Sequence, residues 1–249
     1  MLRLALLFCL AALPLHAEEV VADLSQSRIS ITTDFHGSEI LIFGAVKREE
    51  PIPTDDPLEV LITVEGPSEP LTVRRKARRF GIWVNTDAVD VDEAPSFYAV
   101  ATSAPWNDVI TDVEDLRHHI SIPRAIRSVG ATISGSEAFT EALIRIRDSQ
   151  ELYQTNIGAV RFDEQTLFST SVRLPANLHE GDYRARFFLT RGGEVLDTFE
   201  TKIAVQKVGL ERFLFRLSRE RPLVYGIMSL AIAIAAGWLA SAAFRLFRN

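Results

Sequence analysis

The sequence predicts a mainly β protein: two β-sandwich-like (immunoglobulin-like) units with a connecting helix, then a single C-terminal transmembrane helix. Three observations carry this. Short β-branched and aromatic runs recur between Gly-, Pro- and Asp-rich clusters in two stretches of the chain. Between those stretches the apolar period changes once, to that of a helix. Near the C-terminus, "LVYGIMSLAIAIAAGWLASAAF" (Leu223 to Phe244) carries no charge. At 1.5 Å per residue it measures about 33 Å, enough for a ~30 Å hydrocarbon core with modest tilt.

The elements follow in order. Residues 1–17 read as a secretory signal: Arg3 is the positive n-region, Leu4 to Leu13 the apolar h-region, and Ala17 the residue before the cleavage point. The apolar run is about half the ~20 residues a spanning helix needs. Leu15 is bulkier than the usual residue at its position, which leaves an uncleaved anchor as the alternative. Cys9, the one cysteine, lies inside this run and lacks the small residues that precede a lipidated cysteine. After cleavage no disulfide, thiolate ligand or cysteine nucleophile is available.

Residues 18–104 form the expected first sandwich, with strand signals at 28–33, 39–46, 58–66, 80–85 and 96–102. Residues 105–153 are a connector with one helix. Its first part, to Gly130, reads as irregular. Over 135–153, with Ser136 as cap, Ala138, Leu143, Ile146 and Leu152 fall near one face. Residues 154–207 form a second β-rich unit, with signals at 157–162, 166–174, 181–191 and 194–207 and a hairpin turn at "RGG". Whether the two units share a core stays open.

Residues 208–221 read as an amphipathic juxtamembrane helix, 222–244 as the membrane helix and 245–249 as a cytoplasmic tail. Arg212, Arg216 and Arg219 recur at helical spacing opposite Leu210, Phe213, Leu214 and Leu217, which suits a helix lying among headgroups; packing on the β domain is the alternative. Arg221 precedes Pro222, while Tyr225 and Trp238 stand toward the two interfaces. Cations outnumber those beyond the helix, so charge alone places the long domain in the cytoplasm. The signal points the other way, and long domains translocate largely regardless of charge. The expected location is therefore the bacterial inner membrane, single-pass, with the bulk periplasmic.

The densest charge run is "RRKARR": Arg74, Arg75, Lys76, Arg78 and Arg79. Behind a signal it faces anionic lipid, an acidic protein surface, or the acidic 87–93 segment of its own chain. Trp83, Phe97 and Tyr98 are expected to fill the core. His36, His118, His119 and His179 show no metal-ligand spacing, and the polar 107–119 segment reads as a solvated loop. No P-loop, dinucleotide fingerprint or nucleophile elbow occurs, so the expectation is no catalytic residue, no metal and no cofactor. The net charge of -6 gives no reason to expect nucleic acid as a partner.

Several stretches in order resemble one family: "FHGSEILIFGAV", "RRFGIWVN", "PSFYAVATSAP", "LFSTSVRLPANLHEGDYRARFFL", "VQKVGLERFLF" and "RPLVYGIMSLAIAIAAGW". Together they are similar to a transmembrane protein family of alphaproteobacteria that has no established activity, so no catalytic residues carry over. The resemblance implies a transport-accessory role beside a permease. The expected function is a non-enzymatic accessory or assembly subunit whose partners are the lipid bilayer and a permease-like membrane protein. A periplasmic module that binds or senses an anion or other ligand, with the basic run holding an anion, is the alternative. A hydrolase would need His36 or His179 paired with a carboxylate.

Overall fold

The computed structural model describes residues 18–32, 34–48, 57–127, 136–208 and 210–247, with side chains throughout except at 136, 210–213, 216 and 242–247. The expected signal, residues 1–17, lies outside the described residues. The chain divides into two compact units, Met1–Ile29 with His36–Val205 and Ser30–Phe35 with Gln206–Asn249.

The first unit is built on two sheets. One has the order β1-β3-β10-β9, from Glu18–Leu24, Ser38–Arg48, Leu167–Leu174 and Arg161–Asp163. The other has the order β2-β12-β11-β4-β7-β8, from Arg28–Ile31, Glu194–Lys207, Gly181–Arg191, Leu58–Glu65, Tyr98–Thr102 and Tyr153–Asn156. Strands from residues 18–104 and 154–207 therefore interleave. Strand β3 pairs with β10, and β4 pairs with β11. The two β-rich segments share one core. "Mainly β" is what is observed, but the division at residue 104 is not how the strands are distributed. Pairing between strands more than a hundred residues apart leaves no local trace in sequence.

Alternation explains the packing. Successive residues on a strand point to opposite faces. On β11, Phe187 faces the four-stranded sheet, its ring 6.1 Å from Phe168 on β10 and 5.8 Å from Phe199 on β12. Its neighbour Phe188 faces the other way, its ring 5.6 Å from His118. That second face is covered by helices α1 to α4: Trp106–Val109, Asp112–His118, Ile122–Ala125 and Ser136–Ser149. The layers are thus sheet, sheet, helices, and β4 and β7 are buried on both faces.

Topology accounts for the helices. Strand β8 pairs parallel to β7, and a parallel pair requires a crossover rather than a tight turn. Residues 103–152 are that crossover. Its first half is not irregular, as the sequence had suggested, but holds three short helices of four to seven residues, too short to show a period. The longer helix falls where expected, but its buried face is Phe139 and Leu143, while Ile146 is half exposed.

Tight places are marked by glycine. At "RGG", Gly192 and Gly193 both have positive φ, 56° and 78°, as a two-residue hairpin turn of the right hand requires. Gly44 lies under Phe168: a Cβ there would come within 2.3 Å of that ring and 2.6 Å of Val21 O.

Three buried tyrosines donate to backbone carbonyls, and one of them, Tyr98, ties the sheet to the helical layer. Tyr98 donates to Ile120 O at 2.8 Å, Tyr153 to Pro95 O at 2.8 Å and Tyr183 to His179 O at 2.9 Å. Burial pushes each of the three phenols up to about 12. The folded state thus holds these protons where an unfolded phenol, near 10, releases them. Their contribution is complete below pH ~10 and is lost as pH rises toward 12. In an alkaline titration read by phenolate absorbance, these tyrosines should ionise with loss of strand signal in one cooperative step. A smooth titration centred near pH 10 with the fold intact would contradict this.

The second unit holds α5, Leu210–Glu220, and α6, Pro222–Phe247. Pro222 stands at the first position of α6, where its missing N–H costs least. Backbone bonds continue across the joint, from Arg221 N to Leu217 O and from Tyr225 N to Arg221 O, both 3.1 Å. Within α6, Pro222–Ser241 has a mean hydropathy of 2.0 and is long enough to span a bilayer.

Candidate functional site: a projecting hairpin and a membrane helix

The central hairpin of the six-stranded sheet does not stop at the sheet's end. The β4–β7 ladder ends at Glu65–Tyr98, and two further bonds carry the pairing on, Gly66 N to Phe97 O at 2.8 Å and Ser96 N to Pro67 O at 2.9 Å. It then becomes a two-stranded arm of β5, Ser68–Arg79, and β6, Ile82–Pro95. Twelve residues of β5 at ~3.3 Å each make an arm of about 40 Å.

The basic run lies on this arm. Sequence reasoning found the charges but not the strand, although the alternation was present: Leu71, Val73 and Ala77 interleave with Thr72, Arg74, Lys76 and Arg78. Register sorts these residues into two faces. Leu71, Val73, Arg75, Ala77 and Arg79 lie opposite Val91, Val89, Asp87, Val84 and Ile82. At the arm's base this face is covered, with Val89 and Val91 buried. Farther out, the Arg75 guanidinium sits 5.3 Å from the Phe139 ring of α4.

Of the three partners considered for the basic run, the internal one is realised for Arg75. It holds Asp87 Oδ2 through two hydrogen bonds of 3.0 and 2.7 Å. Those bonds, with help from Thr86, hold the Asp87 carboxyl below the usual range. The other face carries Thr72, Arg74, Lys76 and Arg78 opposite Asp90, Ala88, Asn85 and Trp83. Arg74, Lys76 and Arg78 are exposed, and among the described residues none of them forms an ion pair. Arg79 is also exposed, at the end of the strand.

The tip is apolar. Trp83, expected in the core, is 69% exposed at the end of the arm, whereas Phe97 and Tyr98 are buried as expected. Ile82 is 65% exposed and Phe80 fully so. The turn residues Phe80 and Gly81 have φ of 50° and 88°. Asn-Gly suits such a turn, while a bulky aromatic in the left-handed region pays a steric cost. Phe80 therefore stands against both conformational preference and the usual solvation of a turn.

The remaining candidates have structural occupations. Glu114 on α2 is buried and pairs with Arg117 and with His118 Nε2 at 3.3 Å. Asp115 accepts from Ser121 N at 2.6 Å and Ser121 Oγ at 2.7 Å. Arg186 Nη1 donates to His118 O at 2.8 Å, placing a cation at the C-terminal end of α2, where the helix dipole favours it. The segment read as a solvated loop is a capped helix pinned to the sheet. His36 lines an open cleft of about 790 Å³ with Glu39, Glu151 and Arg173, and among the described residues no hydrogen bond joins it to a carboxylate. His119 and His179 are exposed.

In the second unit, Arg219 lies 5.3 Å from the Phe215 ring. Arg212 and Arg216 are on α5, their side chains outside those described. Arg221 precedes α6, and Tyr225 and Trp238 are exposed on it, with 82% of the Leu223 surface open nearby. None of the described window of α6 is buried against its own chain. A family model described as "Putative transmembrane protein (Alph_Pro_TM)" matches residues 19–246.

The chain belongs to this family.

As a member it is a mostly β membrane protein with a single C-terminal apolar helix. A comparison with curated proteins finds no match. Among solved structures, the sporulation control protein Spo0M from Bacillus subtilis is similar at 10% identity and a TM-score of 0.28, over 77% of this chain and 50% of that one. The chain thus spans half the length of that protein, and at such a score the likeness carries no argument about fold.

Proposed function

We propose that this family member is a non-enzymatic accessory or assembly subunit of an inner-membrane complex. Residues 1–17 export it, α6 anchors it, and the β body works in the periplasm by contact with a permease-like membrane protein. The observation that carries this reading is the arm. A three-residue apolar tip on a strand pair extending beyond its supporting helix is a contact surface, since isolated solvent-facing hairpins gain nothing from Phe, Ile and Trp.

Detergent extraction of the tagged full chain from native membranes tests it. An integral membrane protein should co-purify in fixed proportion. Recovery of the chain alone, as a monomer, would overturn the accessory reading.

Binding of a small anion is the second reading, favoured by Arg74, Lys76 and Arg78, which form no ion pair among the described residues. These three stand at alternate positions on an open strand face, about 7 Å apart. That is a row rather than a pocket. It suits an extended anionic surface better than one oxyanion.

A further inference from the structure

We propose that the arm is a second membrane contact: Phe80, Ile82 and Trp83 enter the interfacial layer of the bilayer while Arg74, Lys76 and Arg78 pair with anionic lipid headgroups. This rests on reading the arm as a contact surface and names what it touches.

Chemistry comes first. Aromatic and aliphatic side chains beside a row of cations match the lipid interface, where rings sit at headgroup level and cations meet phosphates. Trp83 stands directly opposite Arg78, so its indole and the basic row share the open face, while Ile82, opposite Arg79, adds apolar surface at the end of the arm from the other face. Phe80 keeps a turn position that Asn would occupy with less strain, as expected where a local rule yields to function.

Strands β4 and β12 both pair antiparallel with β11, so they run in the same direction. Arg184 is level with Glu65 on one side and Lys202 on the other. Gly181 is level with Val205, and a Cβ on Gly181 would lie 2.9 Å from Pro67, the residue that begins the arm. The arm therefore leaves the sheet at the same end at which β12 hands the chain on to its membrane helix. A bilayer is always within tether length of that end, and tethering raises the effective concentration of a weak contact. A protein groove could accept the same apolar tip, but nothing in this chain guarantees its presence as α6 guarantees the bilayer's.

The test uses the full chain reconstituted in vesicles with no other protein. A Cys9→Ser chain carries an environment-sensitive fluorophore at Ile82→Cys, or at Glu194→Cys at the sheet's other end. In phosphatidylglycerol-containing vesicles the label at 82 should shift to the blue and be quenched by spin-labelled lipid, while the label at 194 stays in water. Each cation removed, as in Arg74→Ser, Lys76→Ser or Arg78→Ser, should lower the inserted-to-free ratio roughly fivefold. Phe80→Asn should weaken insertion although Asn-Gly favours the turn, so misfolding cannot account for the loss.

A label at 82 that remains in water with anionic lipid overturns the proposal. So does insertion indifferent to removal of all three cations. If a photo-cross-linker on the same cysteine captures a protein in native membranes yet the fluorophore stays in water here, the arm's partner is that protein. Lipid insertion without any co-purifying protein would instead leave this proposal standing and remove the accessory-subunit reading.

Discussion

Phe187→Ala is expected to cost about 3–5 kcal/mol, because the side chain is wholly buried and its removal leaves a ring-sized void. The ring lies between Phe168 on the opposing sheet and Phe199 on the neighbouring strand, so the void opens where the two sheets meet. For a domain of this size, such a loss lowers the thermal midpoint by roughly 10 °C, read as strand circular dichroism of the purified chain in detergent. Phe80→Ala supplies the control, the same chemical change at a fully exposed position. It should alter the midpoint by no more than about 0.5 kcal/mol in equivalent stability. Equal effects at the two positions would mean that the arm tip is buried in the native protein or that Phe187 is not central.

The contrast between these two phenylalanines marks the limit of what sequence conveys. Strands β3, β10, β11 and β12 are legible because their apolar residues alternate between a buried and an open face. The "RGG" turn and the membrane helix are legible because glycine at positive φ and a long uncharged run each have a local cause. Strand β1 escapes because "EEVVADL" is short, acidic and adjacent to the expected cleavage point. Strand β5 escapes because its arginines obscure an alternation that is present, whereas Trp83, whose strand signal is legible, is misplaced by a general tendency. An aromatic on a strand usually faces the core, and only the register with Arg78 shows that this strand has left it. The sharing of one core by residues 18–104 and 154–207 rests on pairings such as Ile42 with Thr170, which no periodicity encodes. The basic run was therefore found as a set of charges, but its division into a pinned Arg75 and an open row required the fold.

Glu18→Gln is expected to destabilise the body by about 3 kcal/mol, at the lower end of what breaking a buried ion pair costs. Glu18 on β1 stands directly opposite Arg48 on β3, with 3.7 Å between Oε1 and Nε. It also accepts two bonds from Arg191 Nη2, at 2.9 and 2.8 Å, across the gap between the sheets. Its carboxylate is 8% exposed and the two arginine side chains 12% and 23%. One carboxylate thus neutralises two largely buried cations that belong to different sheets. Val20 N adds a neighbouring inter-sheet bond, to Asp197 Oδ2 at 2.7 Å. Replacing the carboxylate with an amide keeps the shape but removes the one counter-charge that both guanidinium groups have among the described residues. The loss should appear as a lower thermal midpoint with unchanged strand content at low temperature. If the penalty arises from the abandoned cations, Glu18→Gln combined with Arg48→Met and Arg191→Met should recover most of it, because apolar groups of similar volume replace buried ion pairs at little cost. If the triple variant is weaker still than Glu18→Gln alone, the arginines contribute packing or bonds of their own, such as Arg48 to Gln165 O, and the clamp is not held together by charge.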